Sequence, residues 1–521
     1  MSTVSAEPRT TVVLPRNSNQ ALGIGQFAID FLSGKHSGPS EKVLERTALF
    51  HTDAVLCGVS ALALRTNAPT LLRKEAFEYP DSAGAPVFGS REKVKAEKAI
   101  LANSAAVREW DSNGTNFGYN PALGHTAGEF GHNDFYPVAI AAAQQKGLDG
   151  ATALRAMVLL DEIRGRLAEV FSLKTYKIDH VVHGAIASAA TYGALMGATA
   201  EQIESAIGMT VAHYIPWRAI RAGKQLSDSK GASAAISTEV AILSMKRAMA
   251  GFVGPKDIFR NPEALFRQFE PTQADSPFDL VLSHSGDDFA VMGMHFKLGL
   301  YEHQSAGALQ GLIDLIAANP QLLEPGRIKR IVIKAYEPAF GIIGDPAKRD
   351  PHTRQSADHS MVYIVGTMLR KMIERSEAVS SAKSTDSIWK EIMLLPDDYS
   401  PAAISNTRTR EIMSLIEFEH GGPEYDAKYP DGIPTSLFVE DQQGATFDSG
   451  LVMYPAGHAR NTSADLKGIL AHKAAKLGEL GMPDGSNAVD LVTRFERIGQ
   501  MKAQDLQSIY DFEIADRPGY E

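Results

Sequence analysis

A single cysteine, Cys57, is all the thiol that this chain carries, and its scarcity excludes more than any motif does. No disulfide can form within the chain, which fits a reducing compartment. One thiolate cannot hold an iron–sulfur cluster, which takes several, nor a cysteine-based zinc site. Long apolar runs are missing as well: nothing approaches the roughly 20 residues needed to span a bilayer. The opening MSTVSAEPRTTVVLPRNSNQ has no secretory apolar stretch and, with Arg9 and Arg16 offset by Glu7, is only weakly like a transit peptide. Residues 1–40 are expected to be a flexible lead-in. Positive charge is also in deficit, 52 Lys and Arg against 62 Asp and Glu for a net charge of −10, so there is no nucleic-acid footprint. An anionic ligand would have to be drawn by a local cluster of cations. HExxH and paired-cysteine spacings are absent, and HVVH over 180–183 reads as easily as the start of a helix as a ligand pair. No metal and no cofactor is expected.

What is present is a globular composition, 44% hydrophobic and 22% charged over 521 residues, long enough for roughly two to four domains. EKVLERTALFHTDAVLCGVSALALR from Glu41 has apolar residues at helical spacing and reads as a long buried helix, with His51 and Cys57 in its core. KVKAEKAILANSAAV over 93–107 reads as a second. After Gly150 the helical pattern is almost continuous. Leu154, Met157, Val158, Leu160, Ile163, Leu167 and Val170 form one stripe. GAIASAATYGALMG ends at Gly197, Thr199 and Gln202 make a capping-box pattern, and a further helix runs from Gly231 to Gly251. Past Phe296 the pattern changes. RIKRIVIKAY suits a strand, and Thr435–Pro455 reads as two strands joined by a Gln-Gly turn. The Ser-rich SEAVSSAKSTDS reads as an exposed loop. The tail from Asp465 returns to helix and is expected to pack back on the helical part.

Reactive side chains concentrate in REWDSNGTNFGYNPALGHTAGEFGHNDFYP, Arg108 to Pro137, where Asp111, Thr115, His125, Glu129, His132 and Asp134 stand among five glycines. That glycine density predicts a loop rather than a buried element. It leads into a helix over 137–146, whose free N–H groups could meet a carboxylate. Four more segments carry reactive groups: Lys177 to His183; Arg218, Arg221, Lys224, Asp228 and Lys230; His352, Arg354, Asp358, His359 and Tyr363; and His458 with Arg460. Taken singly, each has an ordinary structural explanation as a solvated face, a cap or a packed ring. Taken together, Arg and Lys suit a substrate with several carboxylates. His, Asp, Lys and Tyr supply a general base and acid for removing a proton beside a carboxylate and expelling hydroxide.

The motifs WDSNGT at 110–115, GH at 131–132, IDHV at 178–181, RQSADHSMVY ending at Tyr363 and YPAGH at 454–458 resemble those of the MmgE/PrpD family, from about Glu41 onward. The resemblance implies a mainly α protein. A large helical domain would be formed by both chain ends (41–295 and 462–521), with a smaller α/β lid domain over 296–461. It implies a homodimer, no metal or iron–sulfur requirement, and a site between helical domain and lid for a small tricarboxylate. Asp111, Thr115 and His132 fall where the related cis-aconitate decarboxylases carry an Asp, a Thr four residues on and a histidine. The expected catalytic set is Asp111, Thr115, His132, Lys230 and Tyr363. Substrate would be held by Arg218, Arg221, Lys224, His180, His303 and His458. Three departures stand out. The usual Asp-Asp before the threonine is Asn113-Gly114, and the longer loop lets His125 compete with His132. At the spacing of the family's active-site lysine stands Leu226, so Lys224 or Lys230 must substitute. The lid histidine of the decarboxylases is replaced by the neighbourhood of Glu302 and His303. The implied activity is removal of water from 2-methylcitrate in propionate breakdown, in the cytoplasm or, in a eukaryote, the mitochondrial matrix. Decarboxylation or hydration of cis-aconitate, epimerisation of an amino-diacid, and an inactive helical binding or assembly protein are the alternatives.

Overall fold

Apolar stripes at helical spacing become a layered helical bundle in the computed structural model, which describes residues 10–221 and 225–519. Glu41–Ala63 is the axis, burying Val43, Phe50, Val55, Leu56, Cys57 and Val59. Ala96–Arg108 packs against it, at an approach so close that a Cβ on Gly58 would meet Phe88 at 2.7 Å and the Val107 backbone at 3.1 Å. Gly150–Val170, Val181–Met196, Ala200–His213 and Ser229–Met249 complete the layers. Their ends follow the sequence signals: Gly197 takes a left-handed φ of 88°, and Thr199 with Gln202 makes a reciprocal capping box.

The chain's C-terminal segment returns to this bundle. Leu466–Gly481 and Ala488–Glu496 lie on Glu41–Ala63. Lys473, fully buried, donates to Asp53 Oδ1 at 2.7 Å. Between these parts a four-stranded sheet runs in the order Ile416–His420, Ile328–Ala335, Thr435–Asp441, Thr446–Asp448. The first pair is parallel, with Ile331 opposite Ile416, and the others are antiparallel. The Gln-Gly turn joins the last two strands, with Gly444 at φ 81°. Ala306–Ala318 covers Thr435–Asp441 and also meets Met361–Glu374.

Three expectations need correction. The segment expected to be a flexible lead-in is, from Thr11 on, part of the fold. Thr11–Leu14 pairs antiparallel with Leu280–Ser283, and Gln20–Leu32 buries Ile24, Phe27 and Phe31 against Ala200–His213. Its apolar face cannot stay in water when a matching face is available. The Ser-rich stretch is not wholly loop, because Ser376–Ser380 and Thr385–Ile392 are short helices, the second capped by Ser384. The glycine-rich loop is buried except around its tip at 119–127. Its polar groups are satisfied from all sides: Arg164 donates to Asn116 Oδ1 at 2.7 Å, Glu129 accepts the Lys174 N–H at 2.6 Å, and Lys473 donates to the Ser112 carbonyl at 2.7 Å.

Among the described residues no single helix is long and apolar enough to cross a membrane. Glu41–Ala63 and Asn67–Ala76 pass that test only as a pair bent by 91°.

Candidate active site

The buried loop brings Asp111 to the end of Ala96–Arg108 with φ at +50°, a left-handed conformation that costs a non-glycine residue about 1–3 kcal/mol. Cations offset that strain. Arg108 and Lys297 both donate to its Oδ1 in short contacts, and Lys297 also reaches its carbonyl at 2.7 Å. Burial alone would raise the Asp111 carboxyl, but Arg108, Lys297 and His359 around it hold it well below the usual range. Four residues on, Thr115 starts a two-residue strand paired with Gly131–His132, and its Oγ1 donates to the Gly131 carbonyl at 2.9 Å. This pairing sets His132 beside Thr115.

A small cavity, partly open to solvent, lies over these groups. His132 and His180 line it with ring centroids 5.2 Å apart. His132 is buried with no partner on Nδ1 among the described residues, and burial, with Arg108 and Lys297 nearby, pushes its basicity far down, so the ring is neutral. Burial depresses His180 likewise. Arg218, Arg221 and Lys348 add positive charge to the wall. Arg221 is fixed by a two-pronged contact with Asp179, whereas Arg218 Nη1 is buried without a partner among the described residues. Phe117, Phe130, Ile342 and Ile343 form an apolar corner.

His359 belongs to the same cavity. Its Nε2 is 3.2 Å from Asp111 Oδ2, and its Nδ1 lies 2.7 Å from Asp358 Oδ1, within hydrogen-bonding distance. Two carboxylates would favour the imidazolium. Burial and the Lys230 ammonium prevail and lower the ring to about 4. Lys230, fully buried, donates to Asp358 Oδ1 at 2.6 Å, and its Nζ lies 3.3 Å from His359 Nδ1. It does not line the cavity and orients the His359 ring from behind.

The structure thus brings together Asp111, Thr115, His132, His180, Arg218 and Arg221, with Lys230 one layer back. Lys224 lies outside the described residues. Tyr363 is not at the cavity: its hydroxyl donates to the Asp398 carbonyl at 2.5 Å and its ring packs on Tyr399. Its place in helix Met361–Glu374 turns it into the lid's core. His303 and His458 sit behind Phe117 with His295, in a neutral stack with centroids 5.0 Å (His295–His303) and 4.1 Å (His295–His458) apart. Phe117 lines the cavity and touches the His295 and His303 rings, whereas neither His303 nor His458 lines it. His125 pairs with Glu169 at 2.9 Å, away from the cavity, which leaves His132 as the loop's histidine there. The start of the Tyr136–Lys146 helix does not line the cavity either. Asp134, which precedes it, is held by Asn113 at 2.6 Å.

Arg108, Lys297, Glu302, Lys348 and His359 are site residues beyond the expected set. A signal for Lys297 was present: it is the one charge inside the apolar run VMGMHFKLGLY, where an unpaired ammonium would be costly. Asp111, Asp358 and His359 place ligand atoms close enough for a metal ion. Arg108, Lys297 and Lys230 already neutralise those carboxylates, and a divalent cation would have to displace them.

Two family descriptions match this chain: the MmgE/PrpD N-terminal domain over residues 30–276 and the MmgE/PrpD C-terminal domain over 301–467. The alkylcitrate dehydratase phiI of Fungal sp. (strain ATCC 74256) is 23% identical over 318 residues. That match covers 60% of this chain and 58% of the relative, less than two thirds of the relative's length.

Proposed function

The chain belongs to the MmgE/PrpD family, and from that premise we propose that it is a cofactor-independent dehydratase converting 2-methylcitrate to 2-methyl-cis-aconitate. The observation that carries this reading is the neutral His132, its Nδ1 unpartnered, on the wall of a cavity that also bears Arg218, Arg221 and Lys348. The cations hold carboxylates of the substrate. His132 takes the proton from the carbon beside one of them, where the neighbouring charge stabilises the developing anion. Asp111 and Thr115 fix the loop that carries His132, and the Asp111–His359 contact sets the second ring. The apolar corner of Phe117, Phe130, Ile342 and Ile343 suits an alkyl substituent, which citrate lacks, and the alkylcitrate dehydratase among its relatives supports the same choice. Within this reading the protein works as a homodimer in the cytoplasm or mitochondrial matrix, and the lone buried Cys57 fits a reducing compartment.

Proton NMR of the protein with 2-methylcitrate, and separately with cis-aconitate, both with chelator, tests the assignment. The expected product of the first is 2-methyl-cis-aconitate. Itaconate from the second with the first untouched would make the protein a decarboxylase. His132→Asn is expected to lower kcat by about 10²–10⁴-fold with an unchanged melting temperature, and full turnover by the folded variant would remove His132 from its role.

A further inference from the structure

Resting on the dehydratase reading, we propose that Glu302 is the general acid, delivering the proton with which the substrate hydroxyl leaves as water. Two carboxyl groups line the cavity, Asp111 and Glu302. Asp111 is committed as a carboxylate by Arg108 and Lys297. Glu302 has no Lys, Arg or His within ion-pairing distance among the described residues. It is half-buried, at the start of the His303–Ser305 turn, and its Oε2 accepts the Gln304 N–H at 2.8 Å. Its own N–H donates to the Asp358 carbonyl at 3.0 Å, which ties it to the segment carrying His359. A carboxyl so placed and unpaired can hold a proton near neutrality and give it up into the cavity.

The groups facing it come from five segments. Asp111 projects from the buried loop, Lys297 from the stretch leading to Glu302, Lys348 from the turn over 346–348, Tyr336 from the end of Ile328–Ala335, and Tyr429 from the loop before Thr435–Asp441. The Tyr336 hydroxyl is buried without a partner among the described residues. Burial first and the Asp111 charge second push the Glu302 carboxyl up to about 7, against the pull of Lys297 and Lys348. A catalytic acid is most effective with its proton affinity near the working pH.

The step balances. His132 accepts the proton from carbon, and the C–H electron pair becomes the new C=C bond. The C–O pair departs with the hydroxyl oxygen, which takes the Glu302 proton and leaves as water. Glu302 is then a carboxylate and His132 an imidazolium, and solvent returns the proton from the second to the first.

The test compares wild type, Glu302→Gln and Glu302→Asp on 2-methylcitrate and on its analogue with fluorine in place of the hydroxyl, since fluoride leaves without a proton. In E302Q, kcat on 2-methylcitrate is expected to fall by about 10²–10⁴-fold with little change in KM. Fluoride release is expected to be largely kept, and the decline of kcat/KM above neutrality to disappear. E302D should recover part of the lost rate. Equal loss on both compounds would make Glu302 a positioning residue and overturn the assignment, as would full turnover by E302Q. Wild type acting on neither compound removes the dehydratase reading and this acid with it. Should E302Q not fold, carbon-13 NMR of glutamate-labelled wild type decides: one carboxyl titrating near 7 is expected, and its absence overturns the proposal.

Discussion

Tyr363 and Lys297 show how far single residues can be judged from their letters. A tyrosine in a reactive-looking segment is a fair candidate acid, yet Tyr363 spends its hydroxyl on the Asp398 carbonyl inside the lid. Tyr363→Phe is therefore expected to leave kcat unchanged and to cost about 1 kcal/mol of stability, the usual net worth of one buried hydrogen bond. Parallel kinetics and urea denaturation check both halves, and a large fall in kcat would return Tyr363 to the site. Lys297 carries the opposite lesson. It is 186 residues from Asp111 in sequence, and spacing alone gives no means of pairing them. Local motifs do expose Asp111, Thr115 and His132, because those three are set by one loop and its short strand pair. Arg108, Lys348, His359 and Glu302 acquire their meaning only when separate segments meet.

At the scale of elements, helices with a clear stripe and a terminal glycine or capping box were legible, since burial and capping are local demands. The loop over 108–137 looks unburied in sequence because its glycines and polar residues suit a solvated segment, whereas the rest of the molecule supplies their partners. One of those suppliers is the helix Leu466–Gly481. Its Lys473 donates at once to the Ser112 carbonyl, the Lys297 carbonyl at 2.9 Å and Asp53. It thereby ties the Asp111 loop to the strand of chain that carries Lys297. Lys473→Met would leave Asp53 without its counter-charge, and the expected loss is about 3–5 kcal/mol, as for other broken buried pairs. Because the same ammonium holds Lys297 and the residue next to Asp111, kcat should fall as well, although Lys473 touches no substrate. Denaturation midpoints and kinetics on the surviving folded fraction separate the two effects.

At the scale of the whole molecule, buried neutral histidines set the response to acid. Burial lowers His51 to about 3, His183 to about 4 and His458 to about 3, from about 6.5 when unfolded. Between those values the unfolded chain binds more protons than the native one, so stability is full above pH about 6.5 and is lost as pH falls toward 4. A melting temperature that drops steadily over that interval is the expected result, and a flat profile would mean that these rings are protonated in the fold. The Lys473 contacts have a further consequence, in the time domain of synthesis. Lys297 leaves the ribosome 176 residues ahead of the lysine that secures it, an interval of roughly 9 to 35 s at ordinary elongation rates of about 5–20 residues per second. For that time the nascent chain carries Asp111 and Lys297 without the ammonium that ties their two segments together.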